Sequence, residues 1–334
     1  MSARLVATLL ADPATAERVG DWTSTISAAR AESLAGSLAF RLKGLPLPAR
    51  VERLMEDARA SAEAGRTEAL WEAEMARRAL APLGVPVILL KGTAYAAAGL
   101  AAGVGRSIGD LDILLPRAAL PDVERALLAA GWAWVKEDAY DDLYYRRWMH
   151  ELPPLIHAAR ERMIDVHHTI LPLTAKPEPD AAALIADSLP LENGLRILCP
   201  EDMIVHAATH LFADGDLAGG LRNLWDIDRL LREFEAAEGF WQRLHARAAG
   251  HGLLSAVHRA GRLAADLYGT PVPESWRVWN SADPLFKARL LARDGWGRET
   301  KPVVRLGFYV RSHWLRMPPL MLARHLWTKS RRSA

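Results

Sequence analysis

Two aspartates with a single residue between them are the residues of this sequence best suited to chemistry. Asp110 and Asp112 lead into an apolar run that ends at Pro116. A β-strand places residues i and i+2 on the same face, so both carboxylates point the same way if this run is a strand. Carboxylates that close together repel each other unless a cation lies between them, and Mg²⁺ prefers such oxygen ligands. The pair therefore predicts a metal site.

A turn suited to phosphate binding precedes the aspartates. The apolar run 85–90 predicts a buried strand, and it is followed directly by Lys91, Gly92 and Thr93. Backbone N–H groups at such a turn, together with a threonine hydroxyl, can bind phosphate. Lys91 is long enough to reach the phosphates of a nucleotide. The turn and the aspartates together predict a site for phosphate and metal.

The spacing of the aspartates alone does not establish a metal site, because the sequence contains three Asp-x-Asp pairs. The pair at 214–216 lies in a glycine-containing loop, and the pair at 226–228 lies in a helical pattern. On a helix, residues i and i+2 diverge by about 200° and do not share a metal easily. Only the pair at 110–112 combines a strand pattern with a Gly-Thr turn upstream.

The order of strand, Gly-Thr turn, helix and Asp-Leu-Asp strand resembles the signature of the polymerase-β-like nucleotidyltransferase superfamily. The fuller pattern adds an arginine four residues before the first aspartate and Ile-Asp-Val-His-His at 164–168. It is similar to the bacterial group of uncharacterised nucleotidyltransferases over roughly residues 25–250. The resemblance implies transfer of a nucleoside monophosphate from a nucleoside triphosphate to a hydroxyl acceptor. Pyrophosphate would leave, and Mg²⁺ or Mn²⁺ would be the cofactor.

The resemblance also implies a third carboxylate on a later strand, and Asp165 matches its place. Asp110, Asp112 and Asp165 would then be the catalytic residues and metal ligands. His167 shares the strand face of Asp165, where it can contact substrate or orient that aspartate.

Two further residues are expected at the nucleotide. Arg106 lies four residues before Asp110, where an arginine either balances the carboxylates or binds the triphosphate. Ser107 follows it and is the weaker candidate. With the turn upstream, the predicted nucleotide-binding residues are Lys91, Gly92, Thr93, Arg106 and Ser107.

A histidine pair at i and i+4, His206 and His210, lies in a helical pattern that begins near Pro200. This spacing can hold zinc, but no glutamate follows His206 and no third ligand is evident. Packing is the simpler interpretation, and His210 is kept as a possible substrate contact.

The elements that must position these residues indicate an α+β fold. Residues 1–84 are rich in good helix formers and predict an N-terminal helical region, with a long helix from Pro48 to Leu80. Residues 85–172 predict a nucleotidyltransferase core with a small mixed sheet, including two strands at 148–157 and 163–170. Residues 173–300 predict a C-terminal helical domain.

A basic amphipathic tail is expected at 301–334. It has no acidic residue, and its lysines and arginines alternate with aromatic side chains. Such a segment can lie on an anionic membrane surface, bind a nucleic acid or anionic substrate, or form a final helix with a solvated basic face. The net charge of the whole chain is only +2, so it gives no strong nucleic-acid signal.

The single cysteine, Cys199, rules out intrachain disulfides and suits a reducing compartment. No uncharged apolar stretch approaches the roughly 18–20 residues that span a bilayer. We therefore expect a cytoplasmic protein, peripheral to the inner face of the membrane if the tail binds lipid. Two alternatives to an ordinary nucleotidyltransferase stay open. One is an inactive nucleotide- or partner-binding protein of the same fold, and the other is a toxin-like enzyme that modifies RNA or protein.

Overall fold

The computed structural model describes residues 2–316 and residue 322. Helices dominate this part of the chain and precede, interrupt and follow a short-stranded sheet. The helices are α1 Ser2–Ala11, α2 Trp22–Ala31, α3 Ala35–Arg41, α4 Ala49–Leu80, α5 Lys91–Ala97, α6 Leu120–Ala129, α7 Ala139–Trp148, α8 Ala181–Ala186, α9 Pro200–Thr209, α10 Gly220–Phe234, α11 Phe240–Gly250, α12 Leu254–Tyr268, α13 Asp283–Leu290 and α14 Pro302–Arg316. The strands are β1 Ile88–Leu89, β2 Leu111–Leu114, β3 Trp132–Trp134, β4 Leu155–His157, β5 Met163–His167, β6 Leu189–Pro190 and β7 Arg196–Ile197.

The strands form one mixed sheet in the order β3-β4-β5-β2-β1-β7-β6. Strand β2 is parallel to β5 and β1 is parallel to β7, whereas the other neighbours are antiparallel. The predicted α+β class, a small mixed sheet with helical regions on both sides in sequence, is confirmed. The sheet also takes β6 and β7 from the region predicted to be helical, because two-residue strands leave no periodic pattern in the sequence.

The long helix α4 begins and ends where the sequence predicts. Pro48 precedes it, and Gly84, with a φ of +64°, follows the short turn that ends it. Its buried side chains recur at helical spacing near the C-terminal end, at Ala69, Ala73, Ala76 and Leu80. This stripe packs the helix onto the protein core.

The expected strand at 148–157 is wrong in its first part, because α7 extends through Trp148. Asp138 caps this helix, since its side chain accepts from the backbone N–H groups of Tyr140 and Asp141. Acidic residues in the first turn and arginines in the last turn complement the helix dipole. These capping and charge signals outweigh the aromatic residues that favour a strand.

One continuous hydrophobic cluster runs from Ala3 in α1 to Phe308 in α14, so the helical regions and the sheet share a core. The division of the chain into four parts stays a prediction. Of the predicted tail, α14 belongs to the described chain, whereas Arg324, Lys329, Arg331 and Arg332 lie outside the described residues. Among the helices that the structure describes, none is long and apolar enough to cross a membrane.

The loop before β2 is held against the N-terminal helices by a contact between two backbones. A Cβ atom on Gly36 in α3 would lie 2.3 Å from the carbonyl oxygen of Gly105. Gly105 has a φ of +67°, which favours glycine, and its carbonyl accepts a hydrogen bond from Ser37 Oγ at 3.4 Å. Glycine is therefore needed at both positions, and the contact fixes the start of the segment that leads to Asp110.

Candidate active site

Parallel pairing of two strands brings the predicted carboxylates together. Asp112 on β2 is the direct register partner of Asp165 on β5. Asp110 lies just before β2, and one carboxylate oxygen from each of the three residues lies within 4.8 Å of the others. The geometry follows from the two-residue period of a strand, which returns side chains 110 and 112 to the same face.

This carboxylate cluster has the donor set of a site for Mg²⁺ or Mn²⁺. Burial, followed by the charges of Glu151 and Asp112, raises the pKa of Asp165 to about 7. Burial and the neighbouring carboxylates disfavour the charged form of Asp165, and a bound cation would offset both effects. Oxygen-only ligands of this kind fit a hard divalent cation, so the three residues match the cofactor that the resemblance implies.

Asp112 is the most enclosed of the three, with 2% of its surface exposed. Its Oδ1 atom accepts hydrogen bonds from Lys91 Nζ at 2.6 Å and from His167 Nε2 at 3.0 Å. Burial alone would raise the pKa of this carboxyl, but Lys91 and His167 together lower it well below its usual range. Asp112 is therefore ionised and held between the ammonium group of Lys91 and the ring of His167.

Lys91 reaches Asp112 from an unusual backbone conformation. It is the first residue of α5 and has a φ of +49°, in the left-handed region that residues with a side chain rarely adopt. Burial alone would lower the pKa of its ammonium group, but Asp112, joined by Asp110 and Asp165, raises it. Strain at a residue that carries charge is typical of functional sites.

Gly92 and Thr93 are both buried in the first turn of α5. A Cβ atom on Gly92 would lie 1.7 Å from Arg106 Nη1, so only glycine leaves room for the guanidinium group. Thr93 Oγ1 is buried and has no hydrogen-bond partner within residues 2–316. An unpaired buried hydroxyl is uncommon, and a phosphate oxygen is one partner that would satisfy it.

The structure places Arg106 against a residue from a distant helix. Its Nε atom donates to Asp226 Oδ2 in α10 at 2.9 Å, and both side chains are buried. The guanidinium carbon lies 5.7 Å from the centre of the Tyr95 ring. The side chain of Ser107 is exposed, whereas its carbonyl oxygen accepts from Arg222 at 3.1 Å. Arg106 thus connects α5 to α10 beside the Gly92-Thr93 turn.

The Asp-x-Asp pair in α10 has other partners. In α10, Asp226 binds Arg106, whereas Asp228 binds arginines 229 and 232 and the hydroxyl of Thr270. The two side chains diverge as expected for helical i and i+2 positions. Within the described chain, neither this pair nor Asp216 belongs to a cluster of side chains that could hold a metal ion.

Two residues that the sequence analysis missed adjoin the carboxylates. Glu151 Oε2 lies 3.4 Å from His167 Nδ1, and the ring of His150 stacks on that of His167 with centroids 5.3 Å apart. Burial lowers the pKa of His150 well below its usual value, and His167 and Lys91 lower it further. For His167, hydrogen bonding to Asp112 and the charge of Glu151 outweigh burial and raise the pKa. The only signal in the sequence was a His-Glu dipeptide before an apolar strand.

His206 and His210 belong to no cluster that could hold a metal ion among the described residues. Burial, and then the charge of Lys91, lowers the pKa of His206 to about 3, and it lowers that of His210 well below its usual value. His210 begins a single π-helical turn and lines a cavity of about 430 Å³. Tyr309 of α14 also lines that cavity.

Comparison with known proteins gives one family match. The model of a family described as uncharacterised nucleotidyltransferases matches residues 19–269, which are 251 of the 334 residues. The matched range contains the three carboxylates, the Lys-Gly-Thr turn and the Arg106–Asp226 pair. A search of curated proteins finds no match. From the length of this match, we conclude that the chain belongs to the family of uncharacterised nucleotidyltransferases.

Proposed function

We propose that the protein transfers a nucleoside monophosphate from a nucleoside triphosphate to a hydroxyl acceptor, with Mg²⁺ or Mn²⁺ as the cofactor. The observation that carries the proposal is the convergence of Asp110, Asp112 and Asp165 beside the buried Gly92-Thr93 turn. Three carboxylates next to a turn with an unpaired hydroxyl are suited to a metal-bound triphosphate.

The three carboxylates would hold the metal, which supplies positive charge to the triphosphate and to the α-phosphorus during attack. Asp165, which lies beside the other two carboxylates, would accept the proton of the acceptor hydroxyl. The oxygen so released forms a bond to the α-phosphorus, and the bond from that phosphorus to the β-phosphate oxygen breaks. Pyrophosphate leaves with the electron pair of that bond.

The turn residues would bind the β- and γ-phosphates. Lys91 carries a positive charge at the edge of the cluster, and Gly92 and Thr93 offer backbone N–H groups and a hydroxyl. Arg106 supports this turn from behind through its contact with Gly92. The exposed Ser107 side chain is proposed as a further nucleotide contact.

Calorimetric titration with ATP, GTP, CTP and UTP, each with and without Mg²⁺, tests this proposal. Asp110→Asn and Asp112→Asn should bind nucleotide at least tenfold more weakly than wild type, a loss of about 1.4 kcal/mol or more. Asp122→Asn is the matched control, because Asp122 is an exposed partner of Arg125 outside the cluster. Binding by wild type that needs neither Mg²⁺ nor the aspartates would refute the proposal.

A second candidate is a protein of this fold that binds a nucleotide without catalysing its transfer. The ion pair between Lys91 and Asp112 favours it, because an ammonium group already neutralises one predicted metal ligand. Measurement of pyrophosphate release with a panel of hydroxyl acceptors distinguishes the two. Tight Mg²⁺-dependent binding without release would favour the second candidate.

We also propose that α14 docks on an anionic membrane surface from the cytoplasmic side. Its apolar residues Val303, Leu306, Val310 and Trp314 recur at helical spacing, and each is at least 55% exposed. The helix is held to the protein by Phe308, whose ring lies 4.9 Å from that of Phe286. An outward apolar stripe with flanking arginines suits an interfacial helix.

Sedimentation with vesicles tests this docking. Wild type should bind vesicles rich in phosphatidylserine and not vesicles of phosphatidylcholine alone. Leu306→Glu with Val310→Glu should abolish the binding without lowering the melting temperature, because both side chains are exposed. Binding that survives this double substitution would contradict the proposal. The cytoplasmic location itself stays a prediction, based on the single cysteine.

A further inference from the structure

We propose that His150, Glu151 and His167 form a second metal site, chemically distinct from the carboxylate cluster, for a borderline divalent cation such as Zn²⁺. Two imidazoles and one carboxylate make this donor set. Imidazole nitrogen favours zinc and its neighbours in the transition series, whereas Mg²⁺ favours oxygen alone. The inference does not depend on the proposed nucleotide transfer.

The distances within this histidine–glutamate cluster fit a small tetrahedral ion. Glu151 Oε2 lies 3.4 Å from His167 Nδ1 and 3.7 Å from His150 Nε2. One ligand atom from each of the three residues lies within 4.8 Å of the others. Bonds of about 2.0–2.1 Å to Zn²⁺ separate two tetrahedral ligands by about 3.4 Å. The cluster therefore needs only small side-chain movements to close around the ion.

The backbone fixes the cluster before any ion arrives. Glu151 forms an antiparallel bridge with His167 at the end of β5. On either side, His168 donates to the carbonyl oxygen of His150 at 2.8 Å and Leu152 donates to that of Val166 at 2.9 Å. Cross-strand partners present their side chains to the same face, so Glu151 and His167 face each other by construction. A site built on paired strands is held more rigidly than one on loops.

The second nitrogen of His167 has the partner that a metal-bound histidine requires. Its Nε2 atom lies 3.0 Å from Asp112 Oδ1, while Nδ1 faces Glu151. Histidines that bind a metal through one nitrogen usually donate the other N–H to a carboxylate, which fixes the tautomer and the ring orientation. In this arrangement His167 would bind the metal through Nδ1 and contact Asp112 through Nε2. His167 would therefore join the second metal site to the carboxylate cluster.

His150 supplies an independent sign of a missing partner. It is 9% exposed, and its Nδ1 atom has no hydrogen-bond partner in the part of the chain that the structure describes. Its Nε2 atom is 3.7 Å from Glu151, which is longer than a hydrogen bond. Buried imidazole nitrogens are normally paired, and a metal ion is a partner that the ring could bind after a small rotation.

The test uses the full chain, freed of metal with a chelator and titrated with Zn²⁺ by calorimetry and with Co²⁺ by visible absorption. Wild type should bind about one equivalent of Zn²⁺ with a stabilising rise in melting temperature. Bound Co²⁺ should show the intense absorption of a tetrahedral site. His150→Gln and Glu151→Gln should each weaken binding by at least about tenfold.

Asp110→Asn is the matched control, because it alters the carboxylate cluster and leaves all three proposed ligands in place. It should bind Zn²⁺ as wild type does. Far-ultraviolet circular dichroism shows whether each variant is folded. The inference is overturned if folded wild type does not bind Zn²⁺. It is equally overturned if Asp110→Asn loses the ion while folded Glu151→Gln keeps it.

Discussion

The ammonium nitrogen of Lys91 lies 2.6 Å from Oδ1 of Asp112, so the protein supplies its own cation to one of its predicted metal ligands. The Asp112 member of this ion pair is almost completely buried. A divalent metal arriving at the cluster would meet a positive charge already in place. Lys91 should therefore weaken the attraction of the carboxylate cluster for a metal ion.

Replacing Lys91 with glutamine should tighten Mg²⁺ binding in the absence of nucleotide. The ammonium group that competes for Asp112 is lost, and with it the repulsion between two cations at short range. We expect a gain of roughly tenfold in affinity, or about 1.4 kcal/mol, by calorimetry at low salt. Nucleotide affinity should fall in the same variant, because the charge offered to phosphate is gone. Weaker Mg²⁺ binding by folded Lys91→Gln would contradict this account.

Replacing Asp165 with asparagine should stabilise the metal-free protein in a pH-dependent way. The folded pKa of about 7 lies above that of an unfolded aspartate, near 4, so the folded state binds the proton more tightly. Stability from this group is present below pH 4 and is lost as the pH rises towards 7. Asp165→Asn should therefore raise the melting temperature at pH 8 and leave it nearly unchanged at pH 4. An equal shift at both values would show that ionisation of Asp165 is not the cause.

Breaking the buried pair of Arg106 and Asp226 should destabilise the protein strongly. The guanidinium and carboxylate are 6% and 3% exposed, so removing one partner leaves an uncompensated charge in the core. Arg106→Met or Asp226→Leu alone should cost about 3–5 kcal/mol of unfolding free energy. The double variant should recover part of that loss, since no lone charge then remains. Urea unfolding of all four proteins completes the cycle, and strictly additive losses would mean that the pair is not coupled.

Acid should destabilise the protein through its buried histidines. The folded pKa of His206, about 3, lies below the unfolded value of about 6.5, so unfolding takes up a proton between these values. The stabilising contribution is complete above pH 6.5 and is lost as the pH falls. Each such group adds a slope of about 1.4 kcal/mol per pH unit in this range. His206→Gln should reduce the mean slope of unfolding free energy between pH 6.5 and 5 by about 1 kcal/mol per pH unit, because the unfolded histidine is half protonated at pH 6.5, and an unchanged slope would exclude this histidine.

Local patterns were enough to predict part of the fold and of the candidate site. The two-residue period of a strand placed Asp110 and Asp112 on one face, and a proline and a glycine marked the ends of α4, whereas Asp165 was expected only from the family resemblance. The strand face and the helix ends depend on neighbours in the sequence. The sequence pattern was therefore informative without knowledge of the tertiary packing.

Contacts between distant segments were beyond such patterns. Arg106 and Asp226 are 120 residues apart, and nothing local to either shows that the other neutralises it. Glu151 reaches the site only because a short bridge pairs it with His167. Both arrangements depend on tertiary packing, which a periodic pattern does not encode.

The contact between Gly36 and Gly105 also sets a mechanical limit on the site. Because no side chain separates the two backbones, the loop that leads to Asp110 cannot move towards α3 without pushing that helix. Helix α3 thus blocks movement of Gly105 in its direction. Any adjustment of Asp110 around a bound ion must therefore come from the residues between Gly105 and Asp110, and not from a shift of Gly105 towards α3.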